Sequence, residues 1–124
     1  MLLNNLYTIQ TLAESDNQIR ITVNLRPDHA IFKGHFPGQP VLPGVCMMEI
    51  ISEIMSEYLQ KPLRISAGPL IKFLRMIDPQ KSPVINLEIG YQAAPDGTTT
   101  TGKIFFGSDI FMKFQLTLVS YPVQ

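Results

Sequence analysis

Residues 45–59 read VCMMEIISEIMSEYL, a run without glycine or proline whose polar positions fall at Glu49, Ser52, Glu53, Ser56 and Glu57. That spacing follows the 3.6-residue period of an α-helix and predicts one roughly 22 Å long at 1.5 Å per residue. Every other position is apolar, from Val45, Cys46, Met47 and Met48 through Ile50, Ile51, Ile54 and Met55 to Tyr58 and Leu59. So broad an apolar face needs a partner that wraps around it. Pro43 and Gly44 suit the helix start, and Pro62 prevents its continuation soon after Gln60 and Lys61.

Upstream, residues 18–25 alternate, with Ile19, Ile21, Val23 and Leu25 on one side and Arg20, Thr22 and Asn24 on the other, as in a half-buried strand. Residues 26–44 lose that pattern. Pro27, Gly34, Pro37, Gly38, Pro40, Pro43 and Gly44 exclude a long helix or an interior strand there. A stiff loop of that length is a place to look for function. Downstream, strands are predicted at 66–75, 84–92, 98–106 and 110–120. Pro95-Asp96-Gly97 and Gly107-Ser108-Asp109 are turn sequences that join the last three as antiparallel hairpins. One early strand, a long apolar helix and a run of antiparallel strands is an α+β pattern: a curved sheet wrapped around a central helix, which describes a hot-dog fold.

A length of 124 residues suits one domain, 1–124, around one core. Hydrophobic residues make up 45% and charged residues 16%, so the chain is globular and has surface to bury between subunits. Basic and acidic residues balance at 10 each, which gives no reason to expect nucleic acid as a partner. The single cysteine, Cys46, rules out an internal disulfide, and no His/Cys spacing resembles a zinc site. No signal peptide and no run of ~20 apolar residues is visible. These readings predict a cytoplasmic protein with no membrane partner, no metal and no cofactor.

The loop and the helix carry a denser signal. Residues 34–45, GHFPGQPVLPGV, followed by Glu49, resemble the signature of the bacterial 3-hydroxyacyl-[acyl carrier protein] dehydratases of the FabZ type. In that family the motif runs G-H-F-P-G-x-P-V-[ML]-P-G-V, with a catalytic glutamate fourteen residues after the histidine, as Glu49 follows His35 here. The resemblance implies elimination of water from 3-hydroxyacyl thioesters on acyl carrier protein to give trans-2-enoyl thioesters, in fatty-acid or specialised lipid and polyene biosynthesis. It assigns His35 and Glu49 as the catalytic pair and the Gly44 N–H as donor to the thioester oxygen. Phe36, Pro43 and Val45 flank these positions as substrate-binding residues. It also implies a homodimer whose sites take the histidine and the glutamate from different subunits, with higher oligomers open. The chemistry is consistent with the residue types: a base must take a weakly acidic C2 proton while an acid protonates departing hydroxide at C3. Histidine titrates near ~6.5, and a partly buried glutamic acid holds its proton.

Other readings stand beside these. Glu49, Glu53 and Glu57 recur every four residues, the ordinary solvated stripe of an amphipathic helix, and Glu53 and Glu57 are read as such. Cys46 near a helix start is a core residue or, less plainly, a nucleophile. His29, beside Asp28, reads as an exposed turn residue. Lys61, Arg64, Lys72, Arg75 and Lys81 form a positive stretch opposed only by Asp78. Lys72, Arg75 and Lys81 are the candidates for docking the acidic carrier protein, or are simply scattered solubilising charges.

Three departures set the chain apart from the FabZ pattern. Its opening P-H-R-x-P-F-L-L-[VI]-D-R segment has no counterpart in residues 2–10, glutamine four places after the catalytic glutamate is replaced by Glu53, and the Gly-Asp after the family's proline is Gln80-Lys81. They point to a divergent branch. Two rivals remain: an acyl-thioester hydrolase, which typically lacks this loop, and a non-catalytic carrier-binding partner of another hot-dog subunit.

Overall fold

A computed structural model describes residues 1–33, 38 and 40–122 of the chain. In chain order the elements are β1 (Tyr7–Ser15), β2 (Gln18–Leu25), a short 3-10 turn (Ala30–Phe32), α1 (Gly44–Leu59), β3 (Leu63–Phe73), β4 (Val84–Ala94), β5 (Gly97–Phe106) and β6 (Asp109–Ser120). The strands form one antiparallel sheet in the order β1-β2-β4-β5-β6-β3. Ile19, Ile21 and Val23 of β2, Ile85, Leu87 and Ile89 of β4, Ile104 of β5 and Met112, Phe114, Leu116 and Leu118 of β6 all face inward. They form one continuous core with Cys46, Met47, Ile50, Ile51, Ile54 and Met55 of α1. Each large apolar side chain removed from water here contributes about 1.5–3 kcal/mol. A sheet curled over one apolar helix is the hot-dog arrangement that the helix sequence required.

The helix is one residue longer than its periodicity indicates, because Gly44 is already helical. It ends where Gln60 takes a left-handed conformation at φ 56° and both Gln60 and Lys61 donate their N–H to Ser56 O. The Ser56 hydroxyl then accepts from Leu63 N at 3.0 Å, which turns the chain directly into β3. That strand starts three residues earlier than 66, at Leu63, and stops at Phe73. It lies at the sheet edge and its register slips around Ala67, next to Gly68 and Pro69. An edge tolerates a proline that has no N–H to give.

Both expected hairpins form, with Ala94 opposite Gly97 and Phe106 opposite Asp109 across two-residue loops. A further strand, β1, corrects the reading of one early strand. It pairs with β2 across Asp16-Asn17, both at positive φ (50° and 59°), the geometry of a two-residue hairpin turn that matches the strand twist. No helix among the described residues is long and apolar enough to cross a membrane.

Candidate active site

The start of α1 is shaped by its sequence. Pro43 is the extended N-cap at φ −61° and ψ 147°, and its carbonyl accepts from Cys46 N at 3.0 Å and Met47 N at 3.2 Å. The N–H groups of Gly44 and Val45 have no acceptor within the helix and point out of its positive end, where developing negative charge is favoured. A groove of about 450 Å³ runs between residues 41–44 and 73–76, floored by Met47. The Phe73 ring lies so close over Gly44 that a Cβ there would sit 2.7 Å from Cζ. Pro43 and Gly44 line the groove, while the Val45 side chain points outward, 72% exposed.

This proximity has a measurable consequence. In Gly44→Ala the new methyl displaces a half-exposed ring rather than backbone, so the melting temperature stays within about 3 °C, while turnover falls at least ~10-fold because the groove over the N–H donors is reshaped. Unchanged turnover would remove Gly44 from the site.

Glu49 follows Gly44 by five residues, roughly 140° around the helix, and so faces another side of it. It lines two adjoining clefts of about 380 and 350 Å³, both shared with Ser52, Leu63 and Tyr121. Although its side chain is exposed on the single chain, partial desolvation of the carboxyl raises its pKa, reinforced by a hydrogen bond and like-charge repulsion from Glu53. The result is a carboxyl with a raised pKa beside open space.

Glu53 was read as a solvated-face residue, and the structure corrects this: it is 5% exposed. Its carboxylate accepts from the main-chain N–H of Leu2 and Leu3 and from the Tyr7 hydroxyl. Burial and the nearby Glu53 push the Tyr7 phenol far above its ordinary range, so it remains a donor. The helical period could not show this, because the partners come from 46 to 51 residues away in sequence.

His35 and Phe36 lie outside the described residues. Cys46 is a buried core residue whose thiol is pushed up by desolvation and then by Glu49, which disfavours the thiolate a nucleophile needs. His29 is not a free turn residue: its Nδ1 accepts from Ile31 N at 3.0 Å and caps the 3-10 turn. Asp78 is not the only acid near the basic stretch, since Arg75 pairs with Asp109 at 3.5 Å. Lys81 sits in the turn closed by its N–H to Asp78 O. Lys72 is opposite Lys113, which is opposite Lys103, so three lysines form one row across the outer sheet face. Among the described residues none of the three is in an ion pair. Only strand register brings them together, so a linear reading found Lys72 alone.

Comparison with known proteins bears on this geometry. Residues 11–100 match the family model for ApeI-like proteins, described as ApeI dehydratase. The chain belongs to the ApeI-like dehydratase family. The whole motif-bearing loop, all of α1 and strands β2 to β4 fall within the matched region. Curated relatives extend the likeness to the FabZ type read from residues 34–45. The chain is 34% identical over 73 residues to the 3-hydroxyacyl-[acyl-carrier-protein] dehydratase FabZ of Mannheimia succiniciproducens, covering 58% of this chain and 49% of that protein. It is 30% identical over 102 residues to the FabZ of Alkaliphilus metalliredigens, covering 76% and 68%. It spans about half the length of most curated relatives it matches. Among solved structures, the dehydratase heterocomplex ApeI:P from Xenorhabdus doucetiae superposes with a TM-score of 0.70 at 20% identity, over 90% of this chain and 96% of that one. An uncharacterised protein from Erwinia carotovora does so at 0.67 and 23%, over 91% and 93%. At such identities the structural likeness establishes the shared hot-dog fold of this ApeI-like chain.

Proposed function

We propose that this chain removes water from 3-hydroxyacyl thioesters presented by acyl carrier protein, giving trans-2-enoyl thioesters. His35 takes the C2 proton, Glu49 delivers a proton to the departing C3 hydroxyl, and the Gly44 N–H receives charge building on the thioester oxygen. The observation that carries the reading is Glu49, a carboxyl at the wall of an open cleft whose pKa is raised by desolvation and by Glu53. Hydroxide is a poor leaving group, and a stored proton is what its departure lacks.

Glu49 and Gly44 face different sides of α1, so one chain supplies two half-sites. A second copy completes each. Val45, Phe73, Leu74 and Met76 are exposed around the groove beside the free edge strand β3, the apolar surface such a pairing would cover. The lysine row ending at Lys72 suits an acidic carrier, since like charges opposite one another are relieved by an anionic partner. A second reading, in which a different chain completes the site, is favoured by the ApeI protein of Xenorhabdus doucetiae having been solved as a heterocomplex.

Crotonyl-carrier protein tests the reaction through its reverse. The chain alone is expected to hydrate it to the 3-hydroxybutyryl form. Release of free carrier thiol without hydration would establish a hydrolase instead, and activity only after addition of a second hot-dog chain would establish the heterocomplex.

A further inference from the structure

We propose that Glu53 is a positioning residue, which orients the Glu49 carboxyl from one helical turn away and fastens residues 2–7, the turn that follows the cleft-lining Met1. This rests on the dehydratase reading of Glu49. A helix residue four places on shares its face, so both carboxyls border the same cleft. Glu53 is nevertheless buried, and a buried carboxylate is costly unless donors surround it. Leu2 N reaches its two oxygens at 3.1 and 2.9 Å, Leu3 N lies at 2.9 Å and the Tyr7 hydroxyl at 3.1 Å.

All three donors belong to one tight turn. Asn5 N and Leu6 N donate to Leu2 O, Asn4 N donates to Tyr7 O, and Asn4 holds a φ of 66°. Leu6 and Tyr7 anchor the turn in the core. Met1, which precedes the residues that Glu53 holds, lines the cleft together with Ser52 and Glu49. Because the groups bound to Glu53 are all donors, its oxygens act as acceptors. A neighbouring carboxyl can hydrogen-bond to them only while it carries its own proton. Glu49 is the carboxyl that shares the cleft with Glu53, and its proton is the one the proposed reaction spends. Its raised pKa agrees with this arrangement.

The other charged or titratable groups around the pair are few. Cys46 and Glu57 lie on α1, and Tyr7 lies on β1. Lys61 and Tyr121 border one cleft, Arg64 and Tyr121 the other. The amino group of Met1 acts on Glu49 in the opposite sense to Glu53.

The test is a carbon-13 NMR titration of the Glu49 side-chain carboxyl in the whole chain, for wild type, Glu53→Gln and Tyr7→Phe. Glutamine removes the like charge and offers Glu49 an N–H instead of an acceptor, so the Glu49 midpoint falls by about one pH unit. Tyr7→Phe takes one donor from Glu53 and leaves it a better acceptor, so the midpoint rises by a few tenths of a unit. A purely structural Glu53 would lower the melting temperature in both variants and leave the midpoint where it was, which overturns the proposal. If Glu53→Gln fails to fold, the upward shift in Tyr7→Phe decides, and its absence overturns the proposal equally. The titration does not depend on turnover: shifted midpoints in a chain that hydrates no enoyl thioester would sink the dehydratase reading and leave the positioning role, whereas hydration with unmoved midpoints would do the reverse.

Discussion

Glu49→Gln lowers turnover of a 3-hydroxyacyl-carrier substrate about 100-fold or more while the melting temperature stays within about 3 °C of wild type. The amide keeps the shape and hydrogen-bonding reach of the carboxyl but has no proton to give, and positioned acid–base groups typically contribute 10²- to 10⁴-fold. Stability is spared because the side chain is exposed. The pH profile carries the same claim. Desolvation and Glu53 raise the Glu49 pKa, so the protonated form persists to higher pH than in an ordinary glutamic acid. Dehydration in the wild type is lost only as pH rises through that raised value, since above it the charged form dominates and has no proton to donate. The variant loses this alkaline limb. A variant within tenfold of wild type, or one that keeps the limb, removes Glu49 as the acid.

The largest effect on stability is expected at Gly102, in the middle of β5. It sits opposite Ile89 of β4 and Phe114 of β6, with the sheet curled tightly enough that a Cβ would overlap the Glu88 carbonyl oxygen. The same Cβ would lie 3.0 Å from the Phe114 Cζ. The obstacle is neighbouring backbone, which cannot swing aside without breaking the β4–β5 ladder. Gly102→Val therefore costs about 3 kcal/mol or more, seen as a fall of roughly 10 °C in the melting temperature or as failure to accumulate folded protein. Gly107 provides the contrast. Nothing lies within 4 Å of a Cβ there and only its φ of 58° resists substitution, so Gly107→Ala costs about 1 kcal/mol. Equal losses at the two positions would contradict the close approach at Gly102.

The parts of this molecule that a linear reading reaches are those whose physics is local. The helix is legible because its apolar positions repeat without a breaker, and β2, β4, β5 and β6 because one face of each is buried and the other is wet. Pro95-Asp96 and Gly107-Ser108 announce their hairpins by turn chemistry. β1 escapes because the alternation that marks a strand is missing: Thr11 to Ser15 are all exposed, and Tyr7 is the strand's single fully buried residue. Asp16-Asn17 was the available signal, since both residues tolerate the left-handed conformation they adopt. Glu53 escapes for the opposite reason. Its spacing on the helix is that of a wet residue, and its burial is decided by a turn brought in from the far end of the chain. The lysine row likewise exists only through strand register. The proposed pairing of His35 with Glu49 rests on the motif of residues 34–49, and His35 lies outside the described residues.

The most direct test mixes two inactive chains. His35→Ala and Glu49→Gln, each inactive alone, are unfolded together and refolded at equal concentration, and enoyl hydration is then measured. If the imidazole and the carboxyl meet across two copies, about half the dimers pair unlike chains and each of these holds one intact site, so about a quarter of the wild-type rate returns. A mixture of mixed dimers that stays as inactive as either parent would contradict a site shared between copies.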